Sequence, residues 1–210
     1  MIDLYTWNTP NGRKVSIMLE EIELPYETHA INIAQDEQFT PEFLAISPNN
    51  KIPAIVDRDN GRSMMESGAI LIYLAEKAGK LLPADEDGKW RVMEWLMMQM
   101  GSVGPMLGQT HHFVKYNHGK APYAEDRYLN ENKRIYGVLD RRLGECAYLA
   151  GDEYTIADVA TFPWIARWDW QTMDLNDTPN IKRWYLELAA RPAVQRGFNI
   201  PSKVQDIPMP

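Results

Sequence analysis

Two short segments carry the residues best suited to hold a small charged molecule: Asn49-Asn50-Lys51-Ile52-Pro53-Ala54-Ile55-Val56 and, after a turn, Glu66-Ser67-Gly68-Ala69-Ile70. Ser67 precedes a stretch in which Ile70, Leu71, Leu74 and Ala78 recur at helical spacing, so it is expected to cap a helix N-terminus. Free N–H groups, a hydroxyl and the positive end of a helix dipole make a receptor for a carboxylate or phosphate. Glu66, one residue earlier, offers the opposite charge. An anion receptor beside a single carboxylate suits a zwitterionic α-amino acid head better than a phosphate, which points to an amino-acid or peptide ligand. If the Ile52–Pro53 bond is cis, the Ile52 N–H and C=O would face outward and pair with an extended peptide lying between Ile52 and Ser67.

The elements that must position these groups are legible around them. Ala54 to Asp57 and Ser63 to Glu66 flank Asp59-Asn60-Gly61, a strong hairpin signal, and Gly79 closes the helix that follows. Upstream, Ile2 to Tyr5 alternates as a first strand that contains Tyr5. Val15, Met18, Leu19 and Ile22 mark a helix, so Thr9-Pro10-Asn11-Gly12 occupies a strand-to-helix turn. Taken alone, Thr9 and Asn11 there read as helix caps. Tyr26 to Ile33 is expected as a second strand, Gln35 to Phe39 as a polar connection, and Thr40-Pro41-Glu42 as a helix start.

Beyond Leu81 to Gly88, a polar linker containing Pro83, the pattern is wholly helical. The expected division is residues 1–82, a helical domain over 89–200, and an irregular tail over 201–210. Trp90, Met93, Met97 and Met100 share one helix face, expected to be core or subunit interface, and Gly101, Gly104, Pro105 and Gly108 are expected to break that helix. Tyr123 to Leu143 forms another helix, with Tyr128, Ile135, Leu139 and Leu143 inward and Glu125, Asp126, Arg127 and Lys133 outward. Thr155-Ile156-Ala157-Asp158 is a capping box. Trp164, Trp168 and Trp170 are expected in the core, and Pro192 is expected to break the last helical region.

Composition narrows the function. The chain has 210 residues, 45% of them hydrophobic, enough for one large or two modest domains. No apolar run approaches the length of a membrane span and no export signal is visible, so a cytoplasmic location is expected and membrane association is not. A net charge of −7 argues against nucleic-acid binding. The single cysteine, Cys146, excludes an internal disulfide, a CxxC pair and a multi-cysteine metal site, and no basic neighbour is placed to activate it. His111 and His112 are adjacent and point apart on a helix, so no metal is expected.

The pairing of Asn50-Lys51-Ile52-Pro53-Ala54-Ile55 with Glu66-Ser67-Gly68-Ala69-Ile70 resembles the glutathione-binding half of the cytosolic glutathione transferases. Gly104-Pro105-Met106-Leu107-Gly108-Gln109-Thr110-His111-His112-Phe113 resembles a segment typical of their Nu class, bacterial glutathione-dependent disulfide-bond reductases. The resemblance implies the glutathione transferase fold: a thioredoxin-like α/β domain (βαβαββα) followed by an all-α domain. It also implies one or two glutathiones, or glutathione disulfide, in each site of a homodimer. It places the glutathione sulfur beside Thr9-Pro10-Asn11-Gly12, where a thioredoxin would carry Cys-Pro-x-Cys, with Thr9 and Asn11 as the catalytic donors. Gln38, Lys51, Ile52, Pro53, Glu66 and Ser67 would bind the tripeptide, Gln38 and Lys51 at its glycine end. Arg127, otherwise an ordinary exposed helix arginine, would reach across the dimer to the other subunit's glutathione. Gln109 to Phe113 would help shape the pocket for the second half of the disulfide.

The chemistry implied is reduction. A thiolate attacks a disulfide, and a free thiol with pKa ~8.5 is mostly protonated at neutral pH. A charge-assisted hydrogen bond worth about 1.5–3 kcal/mol lowers a thiol pKa by about one to two. The expected activity is reduction of small disulfides and organic hydroperoxides, with weak conjugation to electrophiles because no tyrosine, serine or cysteine stands in the turn. The alternative is a non-enzymatic glutathione-binding regulatory or assembly module.

Overall fold

The computed structural model describes residues 1–210, and they divide into two units: Met1–Leu82 with Ala190–Ile207, and Pro83–Ala189 with Pro208–Pro210. In the first unit β1 (Ile2–Thr6), α1 (Pro10–Ile22), β2 (Tyr26–Ala30), α2 (Pro41–Leu44), β3 (Ala54–Asp57), β4 (Arg62–Met65) and α3 (Ser67–Ala78) follow in order. The strands form one sheet in the order β2-β1-β3-β4. β1 and β2 are parallel and the other pairs antiparallel, with Leu4 opposite both Thr28 and Ile55. This is the thioredoxin-like arrangement expected. Ile2, Leu4, Ile55, Val15, Met18, Leu19, Ile70, Leu71 and Leu74 are buried, joining the sheet to α1 and α3.

β2 stops three residues before the expected Ile33. Ile31 still donates to the Thr6 carbonyl, but the Asn32 side chain then accepts from Ala34 N–H and its own N–H donates to Glu37, which starts a tight helical turn. Tyr5 lies within β1, half-buried and stacked on His29 with ring centroids 4.7 Å apart.

A further helix, Pro192–Phe198, groups with the first unit rather than with the expected helical domain over 89–200. The reason lies at Gly197, where an added Cβ would come within 2.5 Å of the Ile17 backbone. Ser16 donates to the Gly197 carbonyl (2.7 Å), Arg13 Nε donates to that of Phe198 (3.1 Å), and the Arg13 guanidinium stacks on the Phe198 ring. Pro192 starts this helix at its first turn, where its missing N–H costs nothing.

The second unit is all-helical. α4 (Glu86–Met98) begins inside the expected linker, because Asp85 caps it through Gly88 N–H. Its buried face is Val92 and Leu96, whereas Trp90 and Met97 are 63% and 52% exposed, so the Trp–Met stripe is not core. The glycines after it do not break the helix. Wide turns at Gln99–Val103 and His111–Tyr116 flank α5 (Gly104–Thr110), and the chain stays helical throughout. Gly104 and Gly108 are small because Trp164 lies against them. α6 (Pro122–Glu145) buries Asn132, Ile135, Tyr136, Leu139 and Leu143. Glu125, expected outside, is buried instead and accepts from Gly119 N–H, closing the turn before α6. α7 (Ile156–Ile165) carries the complete capping box, and Asp158 also accepts from Leu149 N–H and Trp184 Nε1. α8 (Pro179–Ala189) completes the unit, and the Pro192–Phe198 helix is α9. Residues after Phe198 are irregular, and no helix is long and apolar enough to cross a membrane.

Candidate functional site

The turn after β1 is built by its own backbone. Thr9 is extended and its Oγ1 accepts from Gly12 N–H at 3.1 Å, while the Thr9 carbonyl takes Arg13 N–H at 3.0 Å. Thr9 therefore does cap α1, and the N–H groups of Gly12 and Arg13 are used within the turn. The capping bond uses only a lone pair of the hydroxyl, whose proton is left to donate to another group. Gly12 is required by close approach: an added Cβ would lie 2.2 Å from the Trp7 carbonyl oxygen and 2.5 Å from Thr6 Oγ1. Asn11 occupies the second position of α1, where the dipole favours a nearby anion.

At the head of α3 the arrangement differs in one respect from expectation. The cap residue is Glu66, with φ 68° and ψ 107° and no capping side chain, and Ser67 is the first helical residue. A non-glycine residue at positive φ costs on the order of 1–3 kcal/mol, and such residues concentrate at ligand sites. The Glu66 carbonyl accepts from Ile70 N–H, and its carboxylate, exposed, accepts from Asn49 Nδ2 at 3.4 Å. That bond ties the Asn49–Lys51 loop to α3. Ser67 is 4% exposed, and its Oγ accepts from Lys14 Nζ at 3.4 Å.

The Ile52–Pro53 bond is cis. Ile52 is half-buried and Pro53 buried, directly before β3. The preceding loop is held by Ser47, which donates to the Lys51 carbonyl at 2.8 Å, and Lys51 itself is exposed. Gln38 lies in the turn Glu37–Phe39 and its amide donates to Asp36. The first unit thus brings Ser67, Glu66 and the Asn49 loop together by hydrogen bonds and joins α1 to α3 through Lys14.

Arg127 lies in the second unit, exposed on α6, beside Tyr123, Tyr128, Glu131 and Arg134 around an open cavity of about 700 Å³. His111 is buried in the same unit, stacked on Trp164 and edge-on to Trp170. Gln171 Nε2 donates to the Trp164 carbonyl and faces His111 Nε2 at 3.2 Å, so that ring nitrogen is an acceptor. Burial, with help from Arg167 and Lys115, lowers the His111 pKa to about 4 and keeps the ring neutral. Cys146, just past α6, donates to the Tyr148 carbonyl, and burial raises its thiol pKa. Asp3, Glu27 and His29 converge closely enough to hold a cation, but Arg58 donates to both carboxylates and supplies that charge itself.

Lys14 is the residue that sequence reasoning missed. It is 1% exposed, and burial lowers its pKa to about 7, opposed by the attraction of Glu66. Its signal was positional: it precedes Met18 by four, on the buried face of α1.

Comparison with known proteins matches residues 4–83 to the glutathione S-transferase N-terminal domain and residues 96–192 to the glutathione S-transferase C-terminal domain. The chain is 48% identical over 198 residues to the disulfide-bond oxidoreductase YfcG of Escherichia coli, covering 92% of each. It resembles a glutathione transferase from Burkholderia graminis solved with two glutathione molecules per subunit (45% identity, TM-score 0.88, covering 95% of this chain and 88% of that one). A similar likeness holds for a glutathione transferase from Pseudomonas putida solved with one glutathione disulfide per subunit (44% identity, TM-score 0.88, covering 96% and 92%).

Proposed function

The chain belongs to the glutathione S-transferase family, and we propose that it holds glutathione at the Thr9 turn as a thiolate that reduces small disulfides. The observation that carries this reading is the turn itself: it offers a hydroxyl donor at a helix N-terminus and no protein thiol. The chain's single cysteine lies in the other unit with its pKa raised. The attacking sulfur must therefore come with the ligand. The oxidoreductase relative and the relatives solved with glutathione or its disulfide support the same reading.

In this reading the γ-glutamyl head of glutathione meets Ser67 and Glu66, the Ile52 backbone before Pro53 pairs with the cysteinyl residue, and Gln38 and Lys51 meet the glycine end. Thr9 and Asn11 donate toward the sulfur. The bound thiolate attacks one sulfur of the substrate disulfide, forming a mixed disulfide and expelling the other half as a thiolate. A second glutathione thiolate then attacks the mixed disulfide, so that glutathione disulfide leaves and two substrate thiols are produced. Organic hydroperoxides are reduced at the same sulfur: the thiolate attacks the terminal peroxide oxygen, the O–O bond breaks to release the alcohol, and a second glutathione displaces water from the resulting sulfenic acid to give glutathione disulfide; conjugation is weak. The protein works in the cytoplasm as a Nu-class homodimer in which Arg127 reaches the partner's glutathione.

Glutathione-dependent reduction of a small disulfide, coupled to glutathione reductase, tests this. Wild type and Cys146→Ser are expected to be equally active. Thr9→Ala is expected to lose roughly 10- to 100-fold in kcat/KM, the equivalent of one charge-assisted hydrogen bond. Binding of glutathione without turnover in the wild type would leave a binding module and overturn the enzyme reading.

A further inference from the structure

The Thr9 turn is bracketed by the far end of the chain. Thr9 N–H donates to the Trp7 carbonyl at 2.7 Å, so residues 7–9 close a three-residue turn with Asn8 at its centre. An asparagine in a turn ordinarily fixes itself by accepting from the backbone N–H two residues on. Here that residue is Pro10, which has no N–H, and Asn8 Oδ1 is buried and accepts no hydrogen bond. The side chain is held instead from a distance. Its Nδ2 donates to Ser202 Oγ at 3.1 Å, across 194 residues of sequence.

The helix α9 delivers Ser202 to that place. Ser16 and Arg13 donate to the Gly197 and Phe198 carbonyls, and Gly197 lies against the Ile17 backbone, which fixes the end of α9 on α1. Ser202 follows four residues after Phe198. Thr9 to Gly12 therefore lie between two attachments to the C-terminal segment, Asn8 to Ser202 and Arg13 to Phe198. The tail beyond carries an ion pair of its own, Lys203 with Asp206 at 2.7 Å.

We infer that Asn8 and Ser202 are positioning residues for the proposed reaction: the tail, bonded to Asn8, holds the Thr9 turn in the orientation in which its hydroxyl meets the glutathione sulfur. The inference rests on the reading that glutathione binds with its sulfur at Thr9. Thr9 keeps its capping bond from Gly12 N–H when the Ser202 bond is lost, so α1 stays formed while residues 7–9 loosen. The hydroxyl then meets the sulfur in only part of the population. The loss falls on ionisation of the sulfur rather than on binding of the tripeptide, whose other proposed contacts lie at Gln38, Lys51, Ile52, Glu66 and Ser67.

The test measures kcat and KM for glutathione-dependent disulfide reduction between about pH 6 and 9 in wild type, Ser202→Ala, Asn8→Ala and the double variant. Ser202 is exposed, so its truncation leaves the fold intact. Each single variant is expected to lower kcat at neutral pH about three- to tenfold, the equivalent of one neutral hydrogen bond. The rising limb of the pH profile should move toward the free thiol value of ~8.5, while the KM for glutathione stays within about twofold. Both variants break the same bond, so the double variant should be no worse than either. Ser202→Thr, which keeps a hydroxyl, should restore the profile, and Lys203→Ala, which removes only the tail's ion pair, should match wild type. Coincident pH profiles for wild type and Ser202→Ala, or losses that add in the double variant, would overturn the positioning role. An impaired Thr9→Ala in the same series would leave the parent reading standing, whereas Thr9→Ala as active as wild type would overturn that reading too.

Discussion

The two units treat their polar groups in opposite ways. In the first, Thr9 accepts a capping hydrogen bond from Gly12 N–H and keeps a hydroxyl proton to give. In the second, the Gln171 side chain is consumed internally: its oxygen accepts from Tyr136 at 2.6 Å and its nitrogen meets the Trp164 carbonyl and His111. Asn132 joins the same network, accepting from Thr110 and donating to the Gln171 carbonyl. A polar cluster closed on itself specifies packing, whereas one with a valence left over specifies a ligand. On this contrast the chemistry proposed above belongs to the Thr9 turn of the first unit, while the Gln171 network of the second serves that unit's own packing.

The contrast breaks most severely at Gly12. Gly12→Ala puts a methyl group against the Trp7 carbonyl oxygen and Thr6, and should displace the Thr9 turn. Glutathione-dependent activity is expected to vanish, and thermal unfolding should show a loss of about 3 kcal/mol or more. Gln171→Leu tests the closed network. It strips Tyr136, His111 and the Trp164 carbonyl of a partner and should cost about 3 kcal/mol by denaturant unfolding, while glutathione affinity stays near wild type.

Acid sharpens the comparison with a smaller effect. In the first unit Arg58 and His29 outweigh burial to hold Asp3 at about 2, and Lys77, Tyr73 and the Asp59 N–H do the same for Asp57. Their folded pKa values lie below the ordinary 3.8, so the stability they contribute is complete above pH 4 and lost as pH falls toward 2. After allowance for solvent screening this is about 1 kcal/mol for each group. In the second unit burial raises Asp158 to about 6, which favours the folded state as pH falls, and lowers His111 to about 4, which opposes it. The two oppose one another between pH 6.5 and 4. Amide hydrogen exchange at decreasing pH should therefore show the first unit loosening below pH 4 before the second.

The sequence made the first unit readable because its elements are short and punctuated. Asn60-Gly61 set the hairpin, Gly79 ended α3, and the Glu66-Ser67 pair marked the start of that helix. Two readings there failed for local reasons. Ser67 is the first helical residue because Glu66 adopts a positive φ that composition does not reveal, and Lys14 was passed over because a charged residue on an apolar face reads as an interruption. In the second unit the long helices were visible but their details were not. Gly101 to Gly108 carry the strongest breaker signal in that half, yet Trp164, some sixty residues away in sequence, fills the space beside Gly104 and Gly108 and keeps the chain helical. Glu125 is inside for a local reason, closing the turn before α6 through Gly119 N–H, and Trp90 and Met97 are exposed on α4.

The most direct measurement is the pKa of the glutathione thiol when bound, read from thiolate absorbance during a pH titration of the complex, for wild type and Thr9→Ala. The Thr9 hydroxyl is expected to hold the bound thiol one to two pH units below the free value of ~8.5, and Thr9→Ala to return it most of the way. A wild-type titration midpoint near the free value, or the same midpoint in both proteins, would contradict the claim that this turn ionises the sulfur.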